Sequence, residues 1–243
     1  VALVTGGAGA GIGGATVRRL AAEGAAVAVT DMHDRRTQEM TQALVDAGAR
    51  AAGFTLDIAD RAQVDDVFAA VERELGPVDV LVNNAAINAL VPLHEMDPDT
   101  WDRVLAVDLT GVFNCIRTSL PGMLERRRGS IVNISSVAAW LGGSGNEGPY
   151  AAAKAGLQSL TRTVAGEGGP YGVRCNAIAP GYIWSKFVEK HQERFSAQVG
   201  QIPLRRFGQP EEVAGLVAFL ASDDASYITG ETIGIAGGWY MHA

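Results

Sequence analysis

Short apolar runs rich in β-branched residues alternate along this chain with longer stretches whose apolar positions recur at helical spacing. The runs VALVT (1–5), AAVAVT (25–30), AAGFTL (51–56), VDVLVN (78–83), SIVNIS (130–135), VRCNAIA (173–179) and TIGIA (232–236) read as strands. Helical patterns fall between them, at about 12–23, 34–47, 60–75, 97–125, 149–167 and 210–222. Near-continuous apolar strands separated by helices predict an α/β fold, a parallel sheet covered by helices on both faces. Gly111 and Pro121 are weak points in the long pattern at 97–125. Residues 182–208 lack strand rhythm, mix charge with aromatics and fall where a substrate lid could sit. No repeat or linker divides the chain, so residues 1–243 are expected to form one domain.

Composition narrows the function mainly by exclusion. The net charge of −7 gives no general attraction to nucleic acid or an anionic membrane, so neither is an expected partner. The basic run Arg126–Arg128 ends a predicted helix, where cations complement the dipole. No apolar stretch is long enough to span a bilayer, and no signal peptide is visible. The strand-like opening without Met implies that a few residues precede it. Cys115 and Cys175 form no Cys-x-x-Cys pair and read as buried thiols in a reducing, cytoplasmic setting. The four histidines show no metal spacing, and His94 reads as an exposed loop residue.

Two local patterns carry chemistry. VTGGAGAGIGGA follows the first strand and opens the first helix, the setting of a dinucleotide phosphate loop. Asp31 ends the second strand, where a carboxylate can accept from both hydroxyls of an adenosine ribose and repel a 2′-phosphate; the expected cofactor is NAD. The second pattern is YAAAK. Tyr150 and Lys154 are four apart in a stretch that should be helical from about Pro149, so they share one face. A tyrosine ordinarily titrates near pH ~10. A fixed, partly desolvated ammonium beside it favours the phenolate and tunes it for acid–base work near neutrality.

Together with LDI (56–58), NNAA (83–86), ISS (134–136), APGYIWS (179–185) and YITGETIGIAGGW (227–239), these motifs make the chain resemble the short-chain dehydrogenase/reductase family over essentially its whole length. The resemblance implies a Rossmann-type doubly wound sheet of about seven strands and a Ser136, Tyr150, Lys154 active site. In it Ser136 holds the substrate oxygen, Tyr150 passes the proton, and Lys154 holds the nicotinamide ribose. It further implies cofactor contacts at Gly7, Gly11, Ile12, Asp31, Met32, Asp57, Ile58, Asn84, Ala85, Pro180, Gly181 and Ile183, besides Tyr150 and Lys154. A small alcohol or ketone is the implied substrate, of the 3-oxoacyl, hydroxyacyl or cyclic-alcohol type, and a homotetramer the implied assembly.

Four positions depart from the family pattern. The cofactor loop has one residue more than usual counted from Thr5, and its glycine spacing fits only from Gly7. Ala86 and Ala236 replace a usual glycine and a common acid. Asp108 stands where the family has a catalytic asparagine; an ionised carboxylate there would attract the Lys154 ammonium and oppose the phenolate, so that Tyr150 titrates higher than with asparagine, whereas a protonated Asp108 could donate as asparagine does. A sugar-nucleotide epimerase or dehydratase could share Tyr-x-x-x-Lys but carries an added substrate domain. An idle NAD-binding sensor is the rival that Asp108 leaves room for. Lys186, Lys190 and Arg194 at helical spacing could meet an acidic handle on the substrate, or be a solvated helix face.

Overall fold

A computed structural model describes residues 1–142, 145–190 and 199–241. The seven strands are β1 (Ala2–Thr5), β2 (Val27–Asp31), β3 (Ala51–Thr55), β4 (Val80–Asn83), β5 (Gly129–Ile134), β6 (Val173–Pro180) and β7 (Thr232–Ile235). They form one sheet in the order β3-β2-β1-β4-β5-β6-β7, and every neighbouring pair is parallel. The chain works outward from β1 to β3, then returns to place β4 on the other side of β1. That reversal opens a crevice beyond the carboxyl ends of β1 and β4, where ligands of open α/β sheets bind.

The helices are α1 (Ile12–Ala22), α2 (Asp34–Asp46), α3 (Arg61–Glu74), α4 (Pro98–Leu105), α5 (Val112–Arg126), α6 (Ala138–Leu141), α7 (Gly148–Gly168), α8 (Lys186–Lys190) and α9 (Pro210–Ala221). Alternation along the strands sorts the core into two layers. Leu3, Ala28, Leu81 and Ile131 point to the face that packs Val64 and Phe68 of α3, Cys115 and Ile116 of α5, and Leu157 of α7. Val4, Val29, Val82 and Val132 point to the opposite face, against Val17 of α1, Leu44 of α2, and Val213 and Val217 of α9. Both faces are therefore dry, which is why the strands read as apolar runs rather than alternating ones.

One polar line crosses the first of these layers. The amide of Asn83 on β4 donates to Asn133 Oδ1 on β5 at 2.8 Å, and Asn133 Nδ2 donates to Thr161 Oγ1 on α7 at 2.9 Å. All three residues are buried.

The helical stretch predicted at 97–125 is interrupted. Between α4 and α5 the backbone takes a π-helical turn over Ala106–Gly111. Gly111 closes it by packing directly on Ile58, where an added Cβ would come within 2.6 Å of the isoleucine side chain. Pro121 lies inside α5 without ending it. The basic run does end a helix: Arg127 takes φ 53° at the α5 C-cap, and Arg126 donates to Val78 O at 2.8 Å. Both cysteines are free and buried, and burial pushes each thiol up to about 12. His94 is exposed beside Glu95. No described helix is long and apolar enough to cross a membrane, and the described residues hold no cluster of His, Cys, Asp or Glu suited to a metal ion.

Candidate active site

The crevice begins where β1 ends. Thr5 Oγ1 accepts from the backbone N–H groups of Asn84 and Ala85, both at 3.0 Å, and Asn84 Nδ2 donates back to Thr5 O at 2.9 Å. This knits the carboxyl ends of β1 and β4 together. Gly6 follows at φ 64°, a backbone region that glycine enters without strain. A Cβ on Gly13 would stand 2.2 Å from Gly6 O, so these two glycines meet across the loop. Gly7 instead turns inward, toward Val17 and Val29. The loop is thus counted from Gly6, and the extra residue falls within 7–10. Sequence spacing alone favoured Gly7, because it could not show which glycine of the pair faces the crevice. Gly11 caps α1 with open space around its α-carbon and no side-chain bond to the first turn, leaving backbone N–H groups free for an anion.

Asp31 stands at the end of β2. Its Oδ1 accepts from His33 N at 3.0 Å. Burial raises its pKa, opposed by Arg36 and by the N–H groups of Ala8 and Met32. No arginine directly follows Asp31 in sequence, yet the first turn of α2 brings the Arg36 guanidinium to 3.7 Å. Met32 is exposed. Asp57 Oδ1 accepts from Ala59 N at 2.9 Å, its own N–H bonds the Gln63 side chain, and Ile58 is buried under Gly111.

Three elements deliver the reactive groups. β5 ends at Ile134 and leads into Ser136, whose Oγ accepts from Ala138 N at 3.1 Å. The first turns of α7 carry Tyr150 and Lys154. The π turn carries Asp108. Lys154 is 1% exposed, Asp108 not at all. The ammonium donates to Ile134 O at 3.0 Å and lies 3.4 Å from Asp108 Oδ2 and 5.4 Å from the Tyr150 ring centroid. Asp108 Oδ1 accepts from Ile87 N at 2.8 Å. Its Oδ2 makes no hydrogen bond, so the contact with Lys154 is an ion pair longer than a charge-assisted hydrogen bond.

The electrostatic balance runs against what the Tyr150–Lys154 spacing alone implies and in the direction that a carboxylate at position 108 implies. Burial raises its pKa, the Asp108 and Glu147 carboxylates raise it further, and only the Ser136 hydrogen bond lowers it. Burial also raises Asp108, against the pull of Lys154 and the Ile87 N–H. The i,i+4 spacing did bring the lysine under the tyrosine; what spacing could not show is that a carboxylate claims the ammonium.

A cavity of about 530 Å³ joins Ser136, Tyr150 and Lys154, while Asp108 lies behind Lys154 and is not part of its wall. Gly6, Gly11, Ile12, Gly13 and Asn84 line one end; Ser136, Tyr150, Lys154, Pro180, Gly181 and Ile183 line the other. Gly7, Asp31, Met32, Asp57, Ile58 and Ala85 are not part of its wall. Ile87, Asn88 and Glu147 also line it, from the segments 86–93 and 137–148 that the sequence offers as pocket walls; sequence reasoning missed Gly6 and Trp239. Trp239 reaches the cavity because the chain turns back after β7 through Gly237 and Gly238, both at positive φ, and packs on Tyr182 with centroids 4.5 Å apart. A larger groove of about 780 Å³ between α1 and α2 holds Arg18, Arg36 and Lys186 but none of the reactive groups. Lys186 and Lys190 are exposed on α8, away from the cavity; Arg194 lies outside the described residues.

A phenol held by a serine, a buried ammonium behind it and a glycine floor at a helix N-terminus suit proton transfer at a substrate oxygen beside a bound dinucleotide. The comparisons agree with this chemistry. A family model described as enoyl-(acyl carrier protein) reductase matches residues 7–240. The 3-oxoacyl-[acyl-carrier-protein] reductase of Thermotoga maritima is 42% identical over 98% of this chain and 96% of its own. The acetoacetyl-CoA reductase of Rhizobium meliloti is 44% identical over 99% of this chain and 98% of its own. The crystal structure of gox2181 superposes with a TM-score of 0.95 at 33% identity, covering 98% of this chain and 94% of that one.

Asp108→Asn removes one of the charges that hold Tyr150 in its neutral form and frees the ammonium to favour the phenolate. Tyr150 should then titrate at lower pH than in the parent protein. The measurement is the tyrosinate ultraviolet difference spectrum, taken for each form against its Tyr150→Phe counterpart. An unchanged or higher midpoint would show that Asp108 does not act on the tyrosine.

Proposed function

The chain belongs to the short-chain dehydrogenase/reductase family, and from that premise we propose that it is an NAD-dependent oxidoreductase interconverting a secondary alcohol and its ketone. The observation that carries this reading is the convergence of Ser136, Tyr150 and Lys154 with the Gly6–Gly13 floor in one cavity. The residues suit the cofactor: the uncapped start of α1 offers N–H groups to a pyrophosphate, and the glycines leave room for it to approach. Gly11, Ile12 and Asn84 would line the dinucleotide, Asp31 would take its adenosine ribose, and Pro180, Gly181 and Ile183 would border the nicotinamide. When bound, the nicotinamide supplies the hydride chemistry.

The chain's own groups manage the oxygen and its proton. Ser136 donates to the substrate oxygen and fixes its direction. Tyr150 takes the hydroxyl proton during oxidation and returns it during reduction. Lys154 stabilises the tyrosinate, to a degree that Asp108 limits. Because Tyr150 is held neutral, alcohol oxidation should rise with pH on the alkaline side of neutrality. The names of the relatives favour a 3-oxoacyl or acetoacetyl type of substrate, and the aromatic wall of Tyr182, Trp184 and Trp239 equally suits a cyclic alcohol. We assign residues 182–208, of which 191–198 lie outside the described residues, to covering the substrate; the two ends of the segment meet where Trp184 N donates to Gly208 O at 2.8 Å and Gly208 N to Tyr182 O at 2.9 Å. The assembly we propose is a cytoplasmic homotetramer, on the strength of the alanine-rich, weakly charged face of α7.

Turnover of an alcohol panel, followed by NADH absorbance, should fall at least about a hundredfold in Tyr150→Phe while NAD binding persists; activity that survives this change would end the proposal. Binding titrations should favour NAD over NADP by at least about tenfold, or ~1.4 kcal/mol, because Asp31 opposes a 2′-phosphate. Equal affinities would mean that Arg36 neutralises the aspartate. Light scattering at micromolar concentration should return the mass of four chains, and a monomer mass would refute the assembly.

A further inference from the structure

Glu147 has no assigned task in this site, yet it lines the cavity just ahead of α7, three residues before Tyr150. Its Oε2 accepts from Asn88 Nδ2 at 3.0 Å, and Asn88 lines the same cavity from the loop after β4. A second tie, Val91 N to Asn146 O at 2.9 Å, holds the two loops together. Among the described residues no cation lies within ion-pair distance of Glu147. Asn88 Oδ1 is buried without a partner. The half-buried Glu147 carboxylate thus faces the cavity beside the catalytic tyrosine with a single donor from Asn88 and acceptor capacity left for a ligand.

We propose, resting on the alcohol–ketone reading above, that Glu147 is a specificity-determining residue which, with Asn88, hydrogen-bonds a second hydroxyl next to the reacting carbon, so that the substrate is a neutral vicinal diol or the matching hydroxyketone. The adjacency follows from the helix: Glu147 is the N-cap of α7, Tyr150 lies three residues on, one turn away, and both line the cavity. Neutrality follows from the sign of that charge, which repels a carboxylate or phosphate at this position. Aromatic walls with one carboxylate would also suit an ammonium group. The amide of Asn88 decides for a hydroxyl, which can donate to Glu147 and accept the second N–H of Asn88 Nδ2, whereas an ammonium has no lone pair to accept it. A site built to bond a hydroxyl discriminates against the analogue lacking it, since its own polar groups are then left unpaired.

The test compares kcat/KM for vicinal cis-cyclohexanediol and cyclohexanol, with NAD, in the parent enzyme and in Glu147→Gln. The parent should prefer the diol by at least about tenfold, and the substitution should cut that ratio about tenfold. A purely structural role would lower both values together and leave the ratio standing, which overturns the proposal. So does a parent enzyme that prefers cyclohexanol or the matching vicinal aminoalcohol. Failure of the underlying reading looks different: no alcohol yields NADH. Binding then decides, through quenching of tryptophan fluorescence by the diol with NAD present. Quenching that is about tenfold weaker in Glu147→Gln sustains the subsite, and absence of diol binding, or equal binding by the two forms, removes it.

Discussion

A lysine whose ammonium is sealed from water must be held by its surroundings, and this site is organised by that demand. Lys154 is the largest fully buried side chain among the described residues. An unpaired charge so placed would cost several kcal/mol. Its partners come from separate elements: the last carbonyl of β5 and a carboxylate from the π turn between α4 and α5. Neither alone satisfies a group with three donors. The end of the sheet, the π turn and the start of α7 are therefore tied through one nitrogen, and Tyr150 takes its place from the same helix turn.

The arrangement has an electrostatic consequence. Asp108 and Glu147 both oppose a negative charge on Tyr150, while the Lys154 ammonium is already engaged by Asp108. The tyrosine is therefore kept in its neutral form, ready to donate, and becomes an acceptor only as the solution turns alkaline. The π turn makes this possible by carrying Asp108 inward to meet both Lys154 and the backbone of Ile87.

The fold was legible in the chain because the strands are near-continuous apolar runs and the helices periodic ones. The contents of the site were legible where they depend on near neighbours in sequence, as in the four-residue step from Tyr150 to Lys154. They were hidden where they depend on chain segments meeting at a distance. Only its place in the family pattern, not its own surroundings in the chain, puts the Asp108 carboxylate beside Lys154, and nothing around Trp239 announces that it returns to Tyr182. The choice between Gly6 and Gly7 turns on a single backbone angle, and Arg36 reaches Asp31 only because α2 turns it there.

The buried line from Asn83 through Asn133 to Thr161 bears on how the sheet finds its alignment. Strands that are apolar on both faces carry little information about register. If β4 slid past β5 by two residues, every side chain would keep its face and the burial would hardly change. The slide would, however, strand two amides in a dry interior, each losing a hydrogen bond at about 1–3 kcal/mol. These amides thus act as an index mark: they add little to the depth of the native basin and raise the neighbouring, shifted basins above it. Since Lys154 bonds the last carbonyl of β5, one index mark aligns the sheet and the reactive groups together.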